Sequence, residues 1–458
     1  MNLPEDYLKR IKGQLGDRYE DFIRCMDQPP FRALRLNRRK IAQEDFLRFA
    51  RMATLCSHPR KVAGLTGAYY YDDALPGKNP LHDAGAYYIQ EPSAMIPAGL
   101  LDAHEGSLKV LDLCASPGGK TTQIADCMND TGLLVANEII PSRALTLSGN
   151  IERMGITNTL VTCADPKDLA GRFGRFFDRI LVDAPCSGEG MFRKNPEAVF
   201  EWSKENVKKC AARQDMILDC ASRMLAPGGK IVYSTCTFSP DEDEGTLDRF
   251  LKSHPAFTVC DGPYRIWPHE GAGEGHFAAV LTAAGDDAGA AENEAGGNSL
   301  AKKKKGRASS PKPSYPADLL DDFLSRTLKD TCPVRILAAG GSDRIISFRD
   351  SIYLAPEHMP DISGLTVLRA GLKLGTFKKD RFEPDHALSH ALHPADISFF
   401  IDMGYEDIRV KDYLAGMTIG CDKEEKGWCL VCTEGLSLGW GKASGGIIKN
   451  HYPRGLRR

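Results

Sequence analysis

The chain has 458 residues, 42% apolar and 26% charged, with a formal net charge of −2. That length exceeds one ordinary core, so two or three domains are expected, and the near-zero balance confines any nucleic-acid surface to a local patch. The chain carries no uncharged apolar run of the ~20 residues a membrane span needs, and its 14 cysteines are scattered without framework spacing, as free thiols in a reducing compartment would be.

Residues 1–83 are expected to form a small N-terminal α/β domain. The opening MNLPEDYLKRIKGQLG lacks the apolar stretch of a secretory signal, which points to a cytoplasmic protein. Leu8, Ile11 and Leu15 keep helical spacing, and FRALRLN (31–37) alternates as a strand does. Arg32, Arg35, Arg38, Arg39 and Lys40 make this stretch locally basic, which for a short charge run ordinarily means a solvated face. AGAYYIQEPSAMIPAGLL (84–101) then reads as a strand or turn leading into a helix, with structural roles for Gln90 and Glu91.

The second domain is expected over 84–283 and is organised by KVLDLCASPGGKTTQIA (109–125). Val110, Leu111 and Leu113 form a buried-strand run, Ser116 to Gly119 force a tight turn, and Lys120, Thr121 and Thr122 open a helix. A strand, a glycine turn and a helix N-terminus leave backbone N–H groups for an anionic or carboxylate-bearing cofactor. A P-loop would need glycine where Cys114 stands, and the dinucleotide pattern GxGxxG is absent. GLLVANE (132–138) is a second strand ending at Glu138, the distance beyond the glycine turn at which an acid meets ribose hydroxyls. Ala144, Leu145, Leu147, Ile151 and Met154 give a helical face, and TLVTCAD (159–165) is a third strand with Asp165 at its end. FFDRILVDAPCSGEG (176–190) supplies a fourth strand ending at Asp183. A long helical pattern follows from Trp202 to Leu225, and APGG turns the chain into KIVYSTC (230–236). DEDEG (241–245) suits the first turn of the next helix, where acids favour the macrodipole, and HFAAVLTA (276–283) closes the sheet. Strand and helix in alternation argue a mostly parallel doubly wound sheet, with ligands outside the strands' carboxyl ends.

Residues 284–315, acidic and then basic with little to bury, read as a flexible linker containing KKKKGR (302–307). The remainder, 316–458, reads as a second module. PVRILAAGGSDRIISFRDSIYLAP has the look of short strands with turns, and the tail after residue 441 carries Lys442, Lys449, Arg454, Arg457 and Arg458 without an acid. Trp440 and Tyr452 beside that patch would offer stacking surfaces. Cys429 and Cys432 form a CxxC inside the strand-like WCLVC, whose period of two sends the side chains to opposite faces, so no metal is expected.

DLCASPGGKT (112–121), DAPCSGEG (183–190), STCTFSP (234–240) and YYIQEPS (87–93) together resemble the motifs of the RNA cytosine-5 methyltransferases of the Nol1/Nop2/Sun family. The resemblance implies a Rossmann-like methyltransferase domain that uses S-adenosylmethionine. The loop Cys114, Ala115, Ser116, Pro117, Gly118, Gly119 and Lys120, together with Glu138, Asp165 and Asp183, would hold that cofactor. It further implies RNA contacts from the N-terminal basic run and a PUA-like α+β module at the carboxyl end. Carbon 5 of cytosine is too weak a nucleophile until a thiolate adds to carbon 6, which makes carbon 5 enamine-like. The resemblance gives that thiolate to Cys236, release of the adduct to Cys186, and the cytosine edge to Asp183, with Lys120 near the reacting base. The chemistry alone leaves Cys186 and Cys236 interchangeable. The carboxyl-terminal arrangement resembles the branch acting on small-subunit ribosomal RNA, free or in the small ribosomal subunit, with a monomer expected and neither DNA nor membrane as partner. Transfer RNA is the alternative substrate, and a non-catalytic ribosome-assembly protein the alternative function.

Overall fold

The computed structural model describes residues 3–52, 55, 59–71, 76–104, 106–271, 273–283, 315–339, 342–422 and 424–458. Apart from Tyr315, the expected linker and its KKKKGR run lie outside the described residues. The helical spacing near the start becomes the helices Glu5–Leu15 and Tyr19–Met26. Their stripe of Tyr7, Ile11, Leu15, Phe22 and Met26 packs on Phe192, Trp202, Phe238 and Trp267 of the second domain, so these helices share its core.

Four short strands follow: β1 (Ala33–Leu36), β2 (Arg60–Lys61), β3 (Ala68–Tyr70) and β4 (Tyr87–Ile89). They form an antiparallel sheet in the order β2-β3-β1-β4. All four residues of β1 are buried, against the expected alternation, because both faces are covered. Leu34 and Leu36 join a cluster with Val410, Leu436 and Ile448 from the far end of the chain, while Arg35 points at the second domain. The sheet also takes in β4, which lies past the boundary expected at residue 83.

The apolar runs of the second domain have amphipathic helices on either side and bury both faces in one sheet. Its strands are β5 (Lys109–Asp112), β6 (Leu133–Asn137), β7 (Thr159–Thr162), β8 (Phe177–Asp183) and β9 (Leu225–Thr235), mutually parallel, with β10 (Phe257–Ile266) and β11 (His276–Ala283) antiparallel at one side. Along the helix Pro141–Arg153, Ala144, Leu147 and Ile151 are buried as expected, whereas Leu145 faces solvent. APGG makes no turn between elements. It lies inside β9, where pairing with β8 slips between Phe177–Leu225 and Arg179–Lys230 and Gly228 adopts a φ of 72°. Edge strand β10, which the sequence reading did not single out, contains Gly262–Pro263 and bulged pairing.

In the remaining module, PVRILA is a helix, Pro333–Ala338, with proline in the first turn where no N–H is needed. Strands β12 (Ile345–Phe348), β13 (Ser351–Leu354), β15 (Leu372–Lys378) and β16 (Arg381–Pro384) make a second antiparallel sheet. Between them, β14 (Val367–Ala370) leaves its own module and pairs antiparallel with β7. The large sheet therefore runs β10-β11-β9-β8-β5-β6-β7-β14. The last sheet is built from β17 (Phe400–Met403), β18 (Ile419–Gly420), β19 (Gly427–Thr433), β20 (Leu436–Ser444) and β21 (Ile447–Asn450). Cys429 and Cys432 of β19 pack into two different cores. Trp440 is 2% exposed with its Nε1 donating to the Asp385 carbonyl at 2.8 Å, and Tyr452 is also buried. Neither ring is the stacking surface expected of it, because the module needs both in its core. Among the described residues no helix is long and apolar enough to cross a membrane.

Candidate active site

Every expected cofactor and catalytic stretch lies at the carboxyl end of β9, β8, β5, β6 or β7, five strands that are consecutive in that order. After β5 the chain turns through Ser116–Pro117, a cis bond, and Gly118, whose φ of 109° only glycine adopts without strain. Gly118 then N-caps the helix Gly119–Met128, whose first N–H groups have no partner within the helix. The loop is braced from behind. Arg143 Nη2 donates to the Ser116 carbonyl at 3.0 Å, Asn150 Nδ2 to the Pro117 carbonyl at 2.9 Å, and the Ser116 hydroxyl to the Arg143 carbonyl at 2.9 Å. Ala115 donates its N–H to the Asn137 carbonyl at 2.8 Å, and burial pushes the Cys114 thiol well above its usual range.

The residues here fit a cofactor carrying an ammonium and a ribose. Asp112 is fully buried at the end of β5. Its Oδ2 accepts from Thr121 Oγ1 at 2.6 Å, while Oδ1 has no hydrogen-bond partner among the described residues. Burial pushes this carboxyl up to about 7, against the pull of the Thr121 hydrogen bond and with added repulsion from Asp183. A buried carboxylate oxygen without a donor suits a cationic ligand group. Glu138 follows β6, accepts the Ile140 N–H at 3.0 Å and lies 3.4 Å from Arg143 Nη2. Ile139 and Ile140 beside it are half exposed, an apolar wall that sequence reasoning did not single out. Asp165 caps the helix Pro166–Arg172 by accepting the Lys167 N–H at 2.8 Å and borders a cavity of about 680 Å³ together with Ile139 and Ala164.

The two cysteine loops meet. Cys186 Sγ lies 3.2 Å from Cys236 Sγ. The contact is fixed by bonds on either side of it: Ser187 Oγ to Thr237 Oγ1 at 2.8 Å, and Gly190 N–H to the Cys236 carbonyl at 2.8 Å. A Cβ at Gly190 would sit 2.7 Å from the Gly275 carbonyl and 3.0 Å from that of Cys236, so the approach requires glycine. The hydrogen bond to Cys236, with burial, raises the Cys186 thiol well above its usual range. Asp183, at the end of β8, accepts from Lys120 Nζ at 2.7 Å through Oδ2 and from Ser234 Oγ at 2.8 Å through Oδ1. Burial alone would raise this carboxyl. Lys120 and His276, whose Nε2 is 3.6 Å from Oδ1, outweigh it and hold the group well below the usual carboxylate range. Lys120 is raised in turn, the Asp183 charge overcoming its burial.

Several supports were not legible in the sequence. Glu242 accepts Ser187 N–H at 2.9 Å, Ser187 Oγ at 2.5 Å and Gln214 Nε2 at 3.0 Å, and so holds the Cys186 loop. Asp243 pairs with Arg265 at 2.8 Å and accepts from Thr235 Oγ1 at 2.6 Å. Of the acids in DEDEG, only Glu244 stands in the first turn of the helix Glu244–Ser253. Glu189 accepts from Arg10, Trp202 Nε1 and the Phe238 N–H, fastening the first helix to the Cys186 loop. The N-terminal basic run is largely committed inside the molecule. Arg35 donates to Thr122 Oγ1 at 2.7 Å, Arg38 to Asp126 at 2.7 Å, Arg39 to Asp130, and Lys40 to the Ala84 carbonyl at 2.8 Å, while Arg32 is exposed.

Residues 98–282 match the family model described as 16S rRNA methyltransferase RsmB/F. Residues 3–92, 323–392 and 401–458 match models of the RsmF N-terminal, first C-terminal and PUA domains. The chain is 33% identical to ribosomal RNA small subunit methyltransferase F of Vibrio vulnificus, across 100% of this chain and 98% of that one. Its counterpart in Aeromonas hydrophila is 32% identical with the same coverage. Among solved structures, NSun6 from Pyrococcus horikoshii with SFG superposes with a TM-score of 0.55 at 20% identity, covering 62% of this chain and 99% of that one, a likeness of fold.

Proposed function

The chain belongs to the RsmB/F family of 16S rRNA methyltransferases, and from that premise we propose that it methylates cytosine in small-subunit ribosomal RNA through a covalent adduct at Cys236. It is an S-adenosylmethionine-dependent RNA cytosine-5 methyltransferase. The observation that carries the covalent route is the 3.2 Å contact between two cysteines beside a carboxylate held by a buried lysine.

When bound, S-adenosylmethionine supplies an electrophilic methyl group. Asp112 and Glu138, on neighbouring strands, would hold its ammonium and ribose, with Asp165 at the adenine end and the loop from Cys114 to Lys120 around its carboxylate. The cytosine, flipped out or unpaired, is engaged by Asp183, which as a carboxylate accepts from the exocyclic amino group. Lys120 keeps Asp183 ionised and aimed. The Cys236 thiolate adds to carbon 6, forming a sulfur–carbon bond and moving an electron pair toward carbon 5 and the ring nitrogen. Carbon 5 would then take the methyl group with that electron pair, the broken carbon–sulfur bond leaving its own pair on the cofactor's sulfur as a neutral thioether. Release needs loss of the carbon-5 proton and breakage of the bond to Cys236. The 3.2 Å contact supports giving that step to Cys186.

The test uses labelled S-adenosylmethionine and small subunits lacking the modification. Cys236→Ala abolishes methyl transfer, and Cys186→Ala accumulates a covalent protein–RNA species. The reverse pattern exchanges the two roles. Subunits that bind the wild type without accepting a methyl group would leave the family's reaction on another RNA, with transfer RNA the next substrate to assay.

A further inference from the structure

We propose that His276 is a positioning residue for Asp183, set against it by a clamp from the N-terminal sheet. The inference rests on the role given above to Asp183. The imidazole is buried, with Nδ1 3.1 Å from the Gly275 carbonyl and Nε2 3.6 Å from Asp183 Oδ1. Nε2 is buried with no hydrogen-bond partner among the described residues. It faces the anionic Oδ1 of Asp183, and the ring helps hold that carboxyl below the usual carboxylate range. At 3.6 Å the contact exceeds a hydrogen bond and acts as a charge interaction. Ser234 and His276 thus share Oδ1 while Lys120 takes Oδ2, and this fixes the carboxylate plane and leaves its outer lone pairs for the cytosine edge.

The residues before His276 have no freedom to drift. Glu274 donates its N–H to Glu91 Oε1 at 2.6 Å, and Gly275 donates its own to Ser93 Oγ at 3.2 Å. Glu91 also accepts from Ser93 N–H, Ser93 Oγ and Ala94 N–H, so the turn after β4 is rigid. The Glu274 carboxylate accepts the Phe31 N–H at 2.6 Å and pairs with Arg193 at 2.8 Å. A Cβ at Gly275 would sit 2.3 Å from the Phe238 ring, so the chain passes directly against that side chain. Glu91 and Ser93 reach the reaction through this path without touching it.

The experiment compares full-length wild type, His276→Ala and His276→Gln for methyl transfer to unmodified small subunits. Cofactor affinity by calorimetry and thermal midpoint are measured alongside. His276→Ala is expected to lose about a hundredfold in kcat, the scale of a misplaced reacting group, with KM for RNA, cofactor affinity and midpoint near wild type. His276→Gln, whose amide N–H reaches the same oxygen, recovers part of kcat. An unchanged kcat in His276→Ala overturns the proposal. So does a loss that appears equally in cofactor affinity, or one that follows a lowered midpoint in both variants. An inactive wild type would instead count against the reading of the site as a whole, so the two failures are distinct.

Discussion

Replacing Arg193 by methionine tests how tightly the N-terminal unit is fastened to the catalytic rim. The Arg193–Glu274 pair has side chains 3% and 1% exposed. Arg193 Nη1 also donates to the Cys25 carbonyl at 3.1 Å. In Arg193→Met, Glu274 stays buried without its cation and must take up a proton to remain in place. Neutralising a carboxyl of ordinary pKa at pH 7 costs about 3.7 kcal/mol, which caps the penalty. Burial already raises Glu274 in the wild type despite Arg193, so part of that cost is present before the substitution. The expected loss is therefore about 3 kcal/mol at pH 7. Its sign with pH is fixed: the folded state holds a proton that the unfolded chain releases, so stability falls as pH rises between the unfolded and folded pKa values. The penalty should shrink by up to about 1.4 kcal/mol for each pH unit below 7. Urea unfolding followed by indole fluorescence measures it, since Trp202 and Trp267 lie in the shared core. Adding Glu274→Gln removes the second charge, keeps an acceptor for the Phe31 N–H and should recover most of the loss. A penalty independent of pH, or a double variant no better than the single one, would refute the reasoning.

Asp112→Asn should weaken S-adenosylmethionine binding about tenfold and flatten its pH dependence; in the wild type affinity rises as pH passes through about 7 and the carboxyl ionises, which calorimetry across that range detects. Arg35→Met should lower cofactor affinity and thermal midpoint together, because Arg35 binds Thr122 and the Gly119 carbonyl at 3.3 Å, whereas Arg32→Ala should leave both intact and weaken RNA binding in a filter assay. Trp440→Ala should cost about 3–5 kcal/mol in denaturant titrations as a core truncation. Lys442→Ala with Lys449→Ala should leave stability alone and reduce the salt dependence of RNA binding.

The site was legible where its chemistry is contiguous. DLCASPGGKT, DAPCSG and STCT each carry strand, turn and functional group within about ten residues, so local sequence places them on one rim. The second unit's parallel strands were legible for the same reason. Features made by distant pairing were not. Strand β14 comes from residues 367–370 yet completes the sheet beside β7, and no local pattern announces it. Arg38 and Lys40 read as a solvated run because the acid and the carbonyl they meet, Asp126 and Ala84, are remote in sequence. Glu242 and Asp243 looked like helix-start acids, but their donors are Ser187, Gln214, Thr235 and Arg265, from four other segments. His276 was passed over as the first residue of an apolar strand, and only the register of β11 beside β9 brings it to Asp183.

The proposed division of labour between the two cysteines rests on how their loops are held together. Both loops are tied to each other by backbone and hydroxyl bonds, Gly190–Cys236 and Ser187–Thr237, which hold the two cysteine backbones side by side. Cys186 is backed by Glu242, itself raised by burial, and this acidic wall disfavours a second negative charge there. Cys236 Sγ faces Cys186 Sγ at 3.2 Å, and the Lys120 ammonium contributes a cation on the same rim. On the proposed assignment, removing Cys186 leaves the nucleophile in place and removing Cys236 takes it away, so the two single variants separate adduct formation from adduct release.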